Sequence, residues 1–177
     1  DLFDDEGWCT ELMDRCTQVA IDFARAQLEA GADTIGLGDA ICSQLSPDLY
    51  GRLVAPREQR IVEAVHQAGG LARLHICGDT THLLPIISHL GFDIVDLDHM
   101  VDMGTAREKL GPGATLAGNI DPIQVLQGTP ESIRAGIVGI YERVGNPYMV
   151  GAGCEIPSGT PVENLKALCR PVAWRKG

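Results

Sequence analysis

Five short apolar stretches, residues 32–39, 71–77, 93–98, 114–118 and 148–153, are separated by segments whose apolar residues recur at helical intervals. Strands separated by helices cannot pair as hairpins. They form βαβ units, and right-handed crossovers lay them parallel in one sheet. The first helical segment, residues 8–30, places Leu12, Cys16, Val19, Phe23 and Ala26 on one face and stops at Gly31. Ser46-Pro47 opens the next in the preferred cap-then-proline order, with a break expected at Pro56 and an end at Gly69-Gly70. Residues 83–90, 105–110 and 129–144 follow, and Thr160-Pro161-Val162-Glu163 has the form of a capping box opening a last helix that Pro171 ends. With no linker or composition shift, residues 1–177 read as a single α/β domain.

Composition narrows the class. At 45% hydrophobic and 21% charged, 177 residues suffice for one buried core, which excludes disorder and collagen. Twenty-four acidic against fourteen basic residues give a formal charge of −10, interrupted only by the short basic tail of residues 170–176, which argues against nucleic acid as a partner. No apolar run approaches the roughly 18 residues of a membrane helix. The acidic start, Asp1-Leu2-Phe3-Asp4-Asp5-Glu6, is unlike a signal peptide, so a cytoplasmic protein is expected.

Polar residues gather at the C-terminal ends of the strands, where both barrels and open α/β sheets place their sites. The dinucleotide-binding pattern G-x-G-x-x-G is absent after the first strand. His75 and Cys77 stand two apart on a strand and project from one face, while Leu74 and Ile76 project from the other. Cys154 sits at the matching end of the last strand, and a set of one imidazole and two thiolates suits a zinc ion with one open position. Cys42, just past the first strand, could add a thiolate and close that site, making it structural, but its place in a connecting loop also suits a free thiol. Cys9, Cys16 and Cys169 read as small core residues. Asp39, Asp96 and Asp98 cluster at strand ends, where they could do acid/base work, receive a cation, pair with Arg73 or cap loop amides.

Four motifs carry a resemblance. Leu74-His75-Ile76-Cys77-Gly78-Asp79-Thr80-Thr81, Asp96-Leu97-Asp98-His99, Leu116-Ala117-Gly118-Asn119-Ile120-Asp121-Pro122, and Gly153-Cys154-Glu155-Ile156-Pro157 with Thr160-Pro161-Val162-Glu163-Asn164-Leu165 resemble, in order, the uroporphyrinogen decarboxylase superfamily. Within it they look like the zinc-dependent methylcobamide:thiol methyltransferases of coenzyme M type. The resemblance implies a TIM (β/α)8 barrel with its site at the C-terminal mouth and zinc on His75, Cys77 and Cys154. It further implies methylcobamide on a corrinoid protein as methyl donor and a small thiol as acceptor; for that chemistry the strand-end carboxylates Asp39, Asp98 and Glu155 are the catalytic candidates, to orient the ligands and take the thiol's proton. A complete barrel takes eight strands and ~250 residues, so these five βα units look like its C-terminal part.

The alternatives are decarboxylation of a tetrapyrrole on the same fold, with the thiols incidental, and a non-catalytic zinc-binding module. Five parallel strands without closure leave two edges that invite pairing with other chains, so homo-oligomers are expected.

Overall fold

A computed structural model of the chain describes residues 4–172. Helix α1 (Glu6–Glu29) starts where Asp5 accepts the Trp8 N–H at 2.9 Å, and β1 (Thr34–Gly38) follows. A 3-10 turn (Cys42–Gln44) leads to α2 (Pro47–Leu49), capped by the Ser46 hydroxyl, which accepts the Leu49 N–H at 3.2 Å. A π turn (Tyr50–Val54) carries the chain into α3 (Ala55–Gln67). The expected break at Pro56 takes this form: the regular helical ladder gives way to the π turn just before it, and α3 starts at Ala55, so the proline's missing N–H falls in a first turn.

Then come β2 (Leu71–Ile76), α4 (Leu84–Ile87), β3 (Ile94–Leu97), α5 (Met103–Leu110) and β4 (Thr115–Ile120). The chain continues through α6 (Pro122–Gln127), α7 (Pro130–Val144), β5 (Tyr148–Ala152) and α8 (Val162–Cys169). Helix α6 is not among the helices expected from the sequence, although Asp121-Pro122 carries the same cap-and-proline signal as Ser46-Pro47: Asp121 accepts the Ile123 N–H at 2.8 Å. The expected capping box at Thr160 does not form. Its hydroxyl turns back to donate to the Pro157 carbonyl at 2.8 Å, and α8 begins after Pro161 without a side-chain cap. The genuine reciprocal box belongs to Thr129 and Ser132 at the start of α7. The tail beyond residue 172, with Arg175 and Lys176, lies outside the described residues.

The sheet order is β1-β2-β3-β4-β5, every pair parallel. A doubly wound sheet reverses direction once to cover both faces; a strictly sequential order is that of successive βα units of a barrel. The helices accordingly cover one face, where Leu74, Ile76, Val95, Leu97 and Leu116 pack with Tyr50, Leu83, Leu84 and Met103. A second cluster joins Ile120 to Val125, Ile133, Ile137 and Leu168. The opposite face carries no helix layer: Arg73 and Met149 are exposed on it, while Ile94, Asp96 and Ala117 at its centre are buried. None of the described helices is long and apolar enough to cross a membrane.

Helix α1 corrects the expectation for its buried side. Thr17, Ile21 and Ala24 face the core, whereas Trp8, Leu12, Val19 and Phe23 are exposed, as is Cys16. The helix carries two apolar stripes, and the narrow one of small residues is what fits against β1 and α3; spacing alone does not tell them apart. Cys9 is half-buried, and Cys169 is exposed because α8 seats through Asn164, Ala167 and Leu168.

Arg107 ties the lower edge of the sheet together. Its guanidinium donates to the carbonyls of Gly111, Ala114, Val144 and Pro147 at 2.6–3.1 Å, joining α5 to the starts of β4 and β5. Replacing it leaves several of these acceptors unpaired at once. Arg107→Ala is expected to cost about 2–4 kcal/mol in urea unfolding, and Arg107→Lys to recover little, since one ammonium cannot span the four carbonyls.

Candidate metal centre

The site is built where β2 and β5 end. His75 and Cys77 share a face of β2, and the parallel register sets His75 level with Asp96 on β3. Cys154 arrives from β5 by a close approach: the Gly153 N–H donates to the Ile120 carbonyl at 2.8 Å, and a Cβ on Gly153 would stand 2.3 Å from the His99 nitrogen. Only glycine lets that strand end press against the β3 loop. The Cys77 and Cys154 sulfurs lie 3.6 Å apart, and Cys77 Sγ is 3.4 Å from His75 Nε2.

Those separations test whether a metal fits. Zn–S bonds of ~2.3 Å and Zn–N bonds of ~2.0–2.1 Å at tetrahedral angles put two sulfurs ~3.8 Å apart and sulfur ~3.6 Å from nitrogen. The observed distances come within a few tenths of an ångström of these, and all three donor atoms fall within 4.8 Å of one another. Among the described residues this is the one group of three or more such side chains with that geometry. The cluster can hold a metal ion.

Its surroundings orient the donors. His75 turns Nδ1 toward Asp96, 3.2 Å from the backbone oxygen and 3.3 Å from Oδ2, leaving Nε2 to face the thiols. Asp96 also pairs with Arg73; burial pushes its carboxyl up, but His75 and Arg73 outweigh that and hold it below the usual carboxylate range. Asp96 in turn raises the imidazole to about 9. Burial and then the neighbouring Cys154 push the Cys77 thiol up, whereas hydrogen bonds from His75 and the Glu155 N–H bring Cys154 down.

Asp98, 5% exposed, accepts the N–H of Gly78 at 2.9 Å and of Met100 at 3.1 Å, and lies 2.8 Å from His99 Nδ1. Of the readings open for these carboxylates, Asp96 makes the pair with Arg73 and Asp98 caps loop amides. Glu155 lines the cavity of about 590 Å³ that contains the cluster, together with Arg73 and Asp96.

A sequential parallel sheet with a His/Cys/Cys cluster at its strand ends defines the class: a barrel-type fold with a cluster able to hold a metal ion at its C-terminal end. Residues 1–173 match the family model described as Uroporphyrinogen decarboxylase (URO-D), and the chain belongs to that family. It is 34% identical over 171 residues to the methylcobamide:CoM methyltransferase MtbA of Methanosarcina mazei, a match covering 94% of this chain and 49% of that protein. It is also 34% identical over 146 residues to the uroporphyrinogen decarboxylase of Nocardia farcinica, covering 82% of this chain and 41% of the other. A solved methyltransferase from Methanosarcina mazei superposes with a TM-score of 0.79 at 31% identity, over 88% of this chain and 46% of that one. The chain spans about half the length of the curated relatives it matches. The architecture is thus a partial (β/α) barrel of this family.

Asp39 and Cys42 are not brought to this centre. Asp39 follows Gly38, which is level with His75, so it shares the helix-side parity of Ile76. Its carboxylate acts on Cys42 and Glu58 and lines a separate cavity between α1, β1 and α3. Cys42, 2% exposed, is turned into the core by the 3-10 turn, where burial and then Asp39 push its thiol up; it is no fourth ligand. Glu58 was not singled out from sequence, although it shares an α3 face with Val62 and Val65. It is 3% exposed, and the Tyr50 hydroxyl donates to its Oε2.

Burial, helped by Asp39 and opposed by the Tyr50 hydrogen bond, raises Glu58 to about 8. A carboxyl with a higher value folded than unfolded stays protonated in the native state after the unfolded chain has ionised. Stability then falls as pH climbs from 4.5 towards about 8. Glu58→Gln keeps the shape without the charge, so urea titrations across this window should show wild type losing stability relative to the variant; parallel curves would contradict the assignment.

Proposed function

We propose that this chain forms the metal-binding part of a zinc-dependent methyltransferase that moves a methyl group from a methylated corrinoid, carried on a partner protein, to a small thiol. The observation that carries this reading is the His75/Cys77/Cys154 cluster, with donor separations near those of tetrahedral zinc. It is supported by the similarity to proteins named as methylcobamide:CoM methyltransferases. Zinc bound there would supply a fourth position at which a thiol is acidified yet keeps electron density on sulfur, because two thiolates already cancel the 2+ charge.

The chain's own residues do the rest. Asp96, steadied by Arg73, holds His75 through Nδ1 so that Nε2 is available, and Asp98 fixes Gly78 and with it the exit of Cys77 from the strand. Of Asp39, Asp98 and Glu155, Glu155 is assigned the proton of the substrate thiol, because it alone of the three lines the cavity. The deprotonated sulfur then forms the S–CH3 bond as the cobalt–carbon bond breaks, with both electrons of that bond staying on the corrinoid. The second reading, decarboxylation of a porphyrinogen, draws on the similarity to the Nocardia farcinica protein and leaves the cluster without a role.

Purified chain should hold about one zinc, and Cys77→Ser and Cys154→Ser should lose most of it by metal analysis. Unchanged metal in both variants, or release of CO2 from a porphyrinogen without corrinoid demethylation, would overturn the proposal. Asp96→Asn should weaken zinc roughly 10–100-fold in chelator competition while leaving the fold intact by circular dichroism.

A further inference from the structure

The loops that follow the five strands are residues 39–46, 77–83, 98–102, 121 and 153–161. They carry Asp39, Asp79, Asp98, Asp102, Asp121 and Glu155, and no Lys or Arg. Arg143 of α7 neutralises Asp102 at 2.6 Å, Asp39 is turned inward, and Asp98 is buried beside His99; the face stays negative through Asp79, Asp121 and Glu155. The same face is studded with large apolar side chains. Among the described residues, the exposed large hydrophobics outside α1 and the strands are Ile41, Met100, Ile123 and Val162, each 49–63% exposed. Every one lies in the loop after β1 or β3 or within the first two residues of the helix after β4 or β5.

Scattered singly, such residues need no explanation. Four of them, one after each of four strands and around the end of the sheet that holds His75, Cys77 and Cys154, form a pattern. We propose that this acidic, apolar-studded face is the docking surface for the corrinoid-carrying protein, whose own contact surface is apolar with Lys and Arg around it. The inference rests on the methyl-transfer reading, which requires a carrier to bring the methyl group to the cavity containing Cys154. Exposed apolar contacts supply the holding area, and the net negative charge left by Asp79, Asp121 and Glu155 favours a basic partner and speeds its encounter. The exposed apolar stripe of α1 is a different surface, since it lies along a helix flank and not in the strand-end loops.

The probes are a cobalamin-binding protein loaded with methylcobalamin, and methylcobalamin alone, titrated against the chain and its Met100→Gln/Ile123→Gln/Val162→Gln variant. Wild type should bind the loaded carrier with a Kd that rises at least about threefold between about 50 and about 300 mM salt. The variant should bind it roughly 10-fold more weakly, with zinc content, circular dichroism and binding of free methylcobalamin unchanged. No binding of the carrier by wild type, equal binding by the variant, or insensitivity to salt would overturn the proposal. So would an equal loss for free methylcobalamin, which would assign the face to the macrocycle itself, or dimers in light scattering that the substitutions abolish, which would assign it to a second copy. Zinc content and thiol coordination, measured separately, report whether the methyl-transfer reading fails instead.

Discussion

The parallel register between β2 and β3 sets His75 level with Asp96, and the geometry of the cluster able to hold a metal follows from that pairing. Because paired residues of a parallel sheet project from the same face, the imidazole has a carboxylate beside it before any metal is considered. Nδ1 is thereby engaged, and Nε2 is left facing the two sulfurs. A one-residue slip would put His75 and Cys77 among the helices, where Leu74 and Ile76 now sit in a closely packed core. The apolar residues thus hold the register that the polar ones use.

Two further constraints complete the centre from a distance. Gly153 lets the end of β5 approach the β3 loop closely enough for Cys154 to reach Cys77. Asp98 holds the chain immediately after Cys77 through the Gly78 N–H. Each acts on backbone, so the donor geometry is set by the strand ends and not by flexible side chains reaching across a gap. Behind the sheet, Asp39, Cys42, Tyr50 and Glu58 form a second polar group among the helices, distinct from the cluster in position and chemistry.

The sequential strand order, with helices packed on one face of the sheet, is the arrangement of successive βα units around a barrel. It explains why the functional residues, far apart in sequence, converge: in such units all strand C-termini lie at one end. The acidic and apolar residues of the connecting loops therefore share that end with the His/Cys/Cys cluster, although they belong to five different connections.

The alternation of strand and helix, the cap at Ser46, and the two-residue spacing of His75 and Cys77 were legible because they depend on local pattern. The partnership of Cys154 with that pair was legible only as two matching strand ends. Their 3.6 Å contact depends on a glycine packed against a distant backbone. Local pattern failed where two choices were equally patterned. Helix α1 offers two apolar stripes, and the fit to β1 and α3 decided which is buried. Asp39, like Asp98, stands at a strand end, but parity and the neighbouring α3 sent its carboxylate to Glu58. Sequence alone determined the element types and the residues able to bind a metal, because these follow from covalent spacing. Tertiary structure decided which of them meet, because burial and close packing between elements distant in the chain choose among faces that local spacing leaves equivalent.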